Sequence, residues 1–224
     1  MKKLLFILAV TVSLVANSQN TITKSVGEFT KLKAFDLIDV ELIKSDVNKV
    51  EISGKNKEDV TIINKNDVLK IRMDLSETFN GHNTYVKVYF TNLEIIDANE
   101  GAFISSEDVF KQIDLTLKTQ EGAQIKLQTN VTILDIKAIT GGEIKTFGTA
   151  KKQLIDLSTG GIYNGKELES QDTEVTIKAG GEARVKAQEN LDIKIRAGGE
   201  VIVYGKPKNV NESKALGGSI EYRN

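Results

Sequence analysis

Three glutamates recur at one position of a repeated segment: Glu143, Glu182 and Glu200 each stand two residues after the first glycine of a turn. Carboxylates in such a series are what polysaccharide chemistry on a β-scaffold would use. A hydrolase needs two or three of them converging on one bond, one to protonate the leaving oxygen and another to attack or to activate water. A lyase needs a base such as Arg or Lys, with a cation held by Asp. Arg184 and Lys145 lie two residues beyond Glu182 and Glu143 and could pair with these carboxylates. The repeat predicts Glu182 and Glu200 on adjacent coils. The same column, however, holds Phe103, Gln124, Ile162 and Ser219, so the acids form no continuous ladder. The pattern reads as a solvated charge row, with Glu143, Glu182, Arg184 and Glu200 a face that could touch a glycan or a cation.

Other reactive side chains are sparse. His82 is the sole histidine, and Asn80-Gly81-His82-Asn83-Thr84 reads as a hairpin tip. Without a cysteine or a second histidine beside it, a zinc site is not expected there. No Ser-His-Asp pattern surrounds it. Tyr204 and Tyr222 could stack near the C-terminal end as a sugar platform, although capping or core packing suits them as well. Lys151-Lys152 reads as a loop charge pair. No cofactor is expected.

The chain has no cysteine, so it can use neither disulfides nor thiolate metal sites nor a lipoprotein anchor, and packing and backbone pairing must hold it. Lys2 and Lys3 precede an apolar run from Leu4 to Val15, broken only by Thr11 and Ser13, and Ala16 and Ser18 supply small side chains for cleavage before Gln19. This is a secretory signal over residues 1–18, too short to cross a bilayer, which takes about 20 apolar residues. After cleavage 28 basic residues face 31 acidic ones, a net charge of −3 with both signs interspersed. Such a surface gives no electrostatic reason to expect nucleic acid or anionic lipid as partner.

The elements that must position the glutamates come from a repeat. EGAFI, EGAQI, TGGEI, TGGIY, AGGEA, AGGEV and LGGSI place their first glycines at Gly101, Gly122, Gly141, Gly160, Gly180, Gly198 and Gly217, with separations of 21, 19, 19, 20, 18 and 19. A fixed period in this range indicates a solenoid, propeller or array. Three residues after each glycine come Ile104, Ile125, Ile144, Tyr163, Ala183, Val201 and Ile220. Five residues before come Ile96, Leu117, Ile136, Ile155, Val175 and Ile193, until Glu212 breaks the column. Three before come Ala98, Thr119, Ala138, Leu157, Ile177 and Ile195. Coils stacked ~4.8 Å apart need such columns, each apolar residue lying on its counterpart. Lys118, Lys137, Asp156 and Lys194 form an outward column between them. The glycines suit corners with positive φ; recurrence between strands argues against a phosphate-cradling loop, and no Asp follows them as a calcium nonapeptide would require.

The expected fold is therefore all-β, a single-stranded parallel β-helix (β-solenoid) with coils of about 20 residues. Residues 19–224 are expected to be one solenoid domain, with Gly-Gly repeats over 99–224. Residues 19–98 keep the alternation (Val40, Leu42; Leu69, Ile71, Met73; Val86, Val88, Phe90) and read as less regular first coils with an N-terminal cap, a small abutting sandwich being the alternative. A solenoid has open strand edges, and Glu212, Lys214, Glu221 and Arg223 are expected to blunt the C-terminal one; where they fail, end-to-end dimers follow.

The segments FDLIDVELIKSDVNKVEISG and YVKVYFTNLEIIDANEGAFI, the repeated GGE strands and the closing VYGKPKNVNESKALGGSI resemble the head GIN domain family of auto-transporter adhesins over residues 29–222. The most specific element is Tyr204-Gly205-Lys206-Pro207 followed by Gly217-Gly218-Ser219-Ile220. The resemblance implies a right-handed parallel β-helix in the bacterial cell envelope and no catalytic residues. Where the family favours Ser-Gly-Ser-Gly, this chain has Gly-Gly-Glu, a more acidic turn face. The reading that follows is a non-enzymatic scaffold or adhesin-like binding module for an envelope glycan or protein, in the periplasm, the outer envelope or outside the cell. The alternative is a polysaccharide hydrolase or lyase centred near Glu182, Arg184 and Glu200.

Overall fold

Alternating apolar and polar residues become strand nearly throughout the computed structural model, which describes residues 21–223. The signal segment over residues 1–18 lies outside the described residues. Eight short strands come first: β1 (Ile22–Ser25), β2 (Lys31–Ala34), β3 (Asp39–Lys44), β4 (Lys49–Gly54), β5 (Val60–Lys65), β6 (Val68–Met73), β7 (Thr84–Phe90) and β8 (Ile95–Ala98). Five long ones follow: β9 (Phe103–Thr119), β10 (Gln124–Ile139), β11 (Glu143–Ser158), β12 (Ile162–Ile177) and β13 (Glu182–Ala197). Last come β14 (Glu200–Tyr204), β15 (Asn209–Leu216) and β16 (Ser219–Arg223).

These strands build a parallel β-solenoid of about 7 turns of ~19 residues. Each long strand serves two walls. The first half of β13 pairs with β14 and its second half with β15, so the chain bends within the strand and turns sharply at the glycines. The column three residues after the glycine is one continuous row of Cα partners: Ile104, Ile125, Ile144, Tyr163, Ala183, Val201 and Ile220. On the opposite wall Ile96, Leu117, Ile136, Ile155, Val175 and Ile193 form a second row, which Glu212 ends. From Ile104 to Val201 and from Ile96 to Ile193, every member is buried.

The variation in period has a location. The glycine corner stays in register, while the ladders slip at the opposite bend, between Lys126 and Gln128, Lys145 and Phe147, and Asn164 and Glu169. Extra residues bulge out there, so unequal repeats still bring equivalent side chains over one another.

At the glycine corner the first four turns set two successive residues at positive φ, as in Glu121 (56°) and Gly122 (72°). The last three use the glycine pair itself, as in Gly198 (63°) and Gly199 (115°). Backbone hydrogen bonds run along the corner, Gly101 N–H to Glu121 O (3.0 Å), Gly122 N–H to Thr140 O (3.2 Å) and Gly141 N–H to Thr159 O (3.1 Å). The earliest coil has no glycine here. Asp36 and Leu37 take positive φ instead, and the buried Asp36 carboxylate accepts the N–H groups of Met73 (3.0 Å) and Phe79 (3.1 Å).

Residues 21–98 do not stack in chain order. The β2–β3 coil lies between the coil formed by β6 and β7 and the one formed by β8 and the start of β9, all in parallel register. The chain starts in the second coil, goes out to form the terminal one, and steps back over its own start. Antiparallel strands close that end, β5 on β6, β4 on β7 and β1 on β4. Alternation cannot distinguish these arrangements, because parallel and antiparallel partners demand the same period of two. The turn at Asn80–Asn83 is corrected accordingly: β6 and β7 pair with other strands, so His82 sits on a coil corner and not at a hairpin tip.

A hydrogen-bonded polar network around Tyr163 is built into the core. Burial pushes the Tyr163 hydroxyl well above its ordinary value of 10 and keeps it a donor; it donates to Gln153 Oε1 (2.6 Å) and receives Thr146 Oγ1 (2.8 Å). The Gln153 amide reaches on to Thr173 (3.4 Å). A satisfied buried network of this kind fixes register, because a slip would strand its members without partners.

Two glycines separate the steric from the conformational requirement. A Cβ on Gly161 would lie 2.0 Å from the carbonyl oxygen of Ala138 on the coil beneath, whereas at Gly122 (φ 72°) it would meet nothing within 4 Å. Gly122→Ala should therefore cost only the left-handed backbone penalty of roughly 1–2 kcal/mol, while Gly161→Ala must force neighbouring coils apart and cost more. Urea unfolding of both variants checks the order, and equal costs would contradict it.

Candidate functional site

The wall formed by β7, β3, the first halves of β9 to β13, β14 and β16 carries the glutamates on its outer face. Reading across it, successive Cα partners are Tyr85, Asp39, Phe103, Gln124, Glu143, Ile162, Glu182, Glu200 and Ser219. Glu182 and Glu200 are thus direct neighbours on adjacent coils, as their spacing predicts. Ile162 stands between Glu143 and Glu182, so the third carboxylate lies two strand spacings, roughly 10 Å, away.

One carboxylate of this row is held in an ion pair. Arg184 Nη2 meets Glu182 Oε1 at 2.5 Å, with both side chains partly exposed, and Glu200 Oε1 accepts the Ser219 hydroxyl at 3.4 Å. Lys145 does not turn to Glu143; with Lys126 it lies over the Phe147 ring, 5.0 and 5.9 Å from its centre. The Arg184 and Glu182 side chains remain 36% and 28% exposed to solvent. Tyr204 and Tyr222 form no platform either. Tyr204 pairs with Arg223 and Tyr222 with Val203, and adjacent strand positions face opposite sides.

The row ends in a feature that alternation obscured. Tyr85 and Phe103 flank Asp39 from the strands on either side and border a cleft of about 270 Å³, also lined by Glu41, Lys87 and Ser105. Tyr85 is 48% exposed, which leaves its ring free to contact a ligand. Glu41 and Lys87 close one side as an ion pair at 3.2 Å. Burial lifts the Asp39 carboxyl above its ordinary value of 3.8, and the nearby His82 draws it some of the way back. In sequence Asp39 is merely the residue that interrupts Leu37 and Val40; its aromatic neighbours are 46 and 64 residues further along the chain. Among the described residues no group of three or more His, Asp or Glu converges as a metal site, and no helix is long and apolar enough to cross a membrane.

A regular solenoid with a long polar wall and a small aromatic-edged cleft defines the class: a repetitive β-scaffold that offers a surface. The chain belongs to the family described as "Putative auto-transporter adhesin, head GIN domain", whose sequence profile matches residues 28–207. The closing Gly217–Ile220 segment falls beyond that match. Solved structures share the fold at low identity. A "putative adhesin" from Bacteroides fragilis superposes with a TM-score of 0.83 at 19% identity, over 91% of this chain and 96% of that one. A "putative adhesin" from Parabacteroides merdae gives 0.68 at 17% identity, over 93% and 98%. A "putative lipid binding protein" from Parabacteroides distasonis gives 0.71 at 18% identity, over 93% and 98%. No curated protein sequence matches the chain.

Because Asp39 is raised, the folded chain holds its proton more tightly than the unfolded chain, and its contribution to stability falls as the pH climbs above 3.8. Asp39→Asn lacks that loss. Urea unfolding between pH 3 and neutrality, spanning the ordinary carboxyl range, should show the variant gaining stability relative to the parent as pH rises; the opposite trend would place Asp39 in a stabilising ion pair.

Proposed function

We propose that this adhesin-family protein is a non-enzymatic binding module of the cell envelope, exported by its N-terminal signal, and that its ligand is a glycan lying along the wall from the Tyr85–Asp39–Phe103 cleft. The cleft carries the reading. Ring faces stack on the apolar face of a sugar, while a carboxylate and an ion pair between them meet its hydroxyls. Beyond it the row continues as Gln124, Glu143, Ile162, Glu182 and Glu200, one residue per coil and mostly polar, with Arg184 beside Glu182, a spacing that suits an extended polymer more than a compact molecule. The engagement of Glu182 by Arg184, and the separation of Glu143, supports binding over hydrolysis at this face.

A glycan array with the purified chain is the direct test. Binding should appear, and Tyr85→Ala and Phe103→Ala should each weaken it about tenfold, the equivalent of roughly 1.4 kcal/mol for one lost ring contact. Glu182→Gln should change it little. Turnover of any polysaccharide that Glu182→Gln or Glu200→Gln abolishes would make the protein an enzyme. Specific capture of an envelope protein with no glycan bound would refute the ligand class.

A further inference from the structure

The two ends of the solenoid are finished differently. At the first coil antiparallel strands and the buried Phe29 close the core. At the last coil the inward positions of β15, stacked on Leu191, Ile193, Ile195 and Ala197, are Val210, Glu212, Lys214 and Leu216. Across from them Ile220 and Tyr222 stack on Val201 and Val203. Among the described residues no strand lies beyond β15 and β16, and Val210, Leu216 and Tyr222 are 45%, 75% and 50% exposed. Among the described residues this end of the core is uncovered, apolar at its margins and charged at its centre.

The order of those side chains is self-complementary. Reading the inward positions of β15 gives apolar, acid, base, apolar. Lay a second copy of β15 antiparallel beside the first, with a two-fold axis at Ser213. Glu212 then faces Lys214 of the copy, and Lys214 faces its Glu212. Val210 faces Leu216, and Leu216 faces Val210. All four inward positions are matched, and opposite charges directly across a strand pair attract. Sliding the copy by two residues in either direction keeps the inward faces together but sets Glu212 on Glu212 or Lys214 on Lys214. Sliding it by one turns every inward side chain outward. One register is favoured and its neighbours are penalised.

We infer that the chain forms a two-fold dimer through its last coil, β15 pairing antiparallel with β15 of a second copy about Ser213. The charges that a simple edge rule treats as blunting the strand act here to select its partner and register. The axis stands perpendicular to the sheet, so the two cores become continuous and Ile220 and Tyr222 are covered from the far side. Tyr222 already donates its hydroxyl to Glu212 across the opening, which holds that carboxylate over the core. The interface is isologous and closes on itself, so it yields dimers rather than filaments. It also sets the two Tyr85–Asp39–Phe103 clefts at opposite ends of one wall, some fifteen strand spacings or roughly 70 Å apart. A surface bearing repeated ligands would then be held at two points.

The absence of cysteine makes the register directly measurable. Ser213→Cys puts one thiol from each copy on the axis, within the ~4.4–6.8 Å Cα separation that a disulfide needs. Oxidised glutathione should join it rapidly into a covalent dimer, taking two electrons and two protons from the thiol pair. Asn211→Cys, which faces Ala215 in this register, should cross-link at least tenfold more slowly. Light scattering on the uncross-linked protein should give twice the chain mass. Lys214→Glu should halve it, and Glu212→Lys combined with Lys214→Glu should restore it, with circular dichroism confirming strand content throughout. A parent that stays monomeric at all concentrations, equal cross-linking at both sites, or larger assemblies untouched by the charge exchange would overturn the proposal.

Discussion

A coil of this protein cannot bury its inward side chains by itself; it does so only by lying on another coil. The rows through Ile125, Ile144 and Tyr163 and through Leu117, Ile136 and Ile155 are consequences of that dependence. Each inward residue packs on its counterpart ~4.8 Å away while the backbone between them completes the ladder. The corner glycines serve the same end. Gly161 lets the backbone approach the carbonyl of Ala138 on the coil below, and a methyl group there would prise the stack open. Bulges gather at the opposite bend, where extra residues such as Glu107, Asp108 and Lys166 are exposed and the rows on either side keep their register.

The same dependence explains what could be read from the chain itself. Where a glycine corner marks every turn, from Gly101 to Gly217, the period identifies each inward position. Before Gly101 the corner is built from Asp36 and Leu37, whose left-handed conformation depends on contacts with Met73 and Phe79. Those partners are 37 and 43 residues away, so no local pattern announces the turn. The inverted order of the first two coils is hidden for a related reason, since an apolar alternation carries no label for the strand it will join. The glutamate row was legible because its spacing follows the corners. The Tyr85–Asp39–Phe103 cleft was not, because it joins strands from three separate stretches of the chain.

Function follows from the outer face that this arrangement leaves over. With the inward half of each strand committed to packing, the outward half is free to vary and appears once per coil. That produces a ruled surface of side chains well suited to a long ligand and poorly suited to enclosing a reacting bond. The charged residues of the last coil are governed by the same geometry. Glu212 and Lys214 occupy inward positions, where a charge needs water, fixed hydrogen-bond donors such as those around Asp36, or an opposite charge on another molecule. Family membership and the regular outer wall support the proposed binding role.

Distances along one outward row test the stacking most directly. Nitroxide labels on cysteines replacing Ser219 and, in turn, Gln124, Glu143 or Ile162 can be measured by electron paramagnetic resonance in chains diluted with unlabelled protein. The stack predicts separations that shorten by ~4.8 Å with each coil removed, for spins carried on side chains of the same wall. Distances unrelated to the number of intervening coils would contradict the fold and, with it, the reading of the wall as a binding surface.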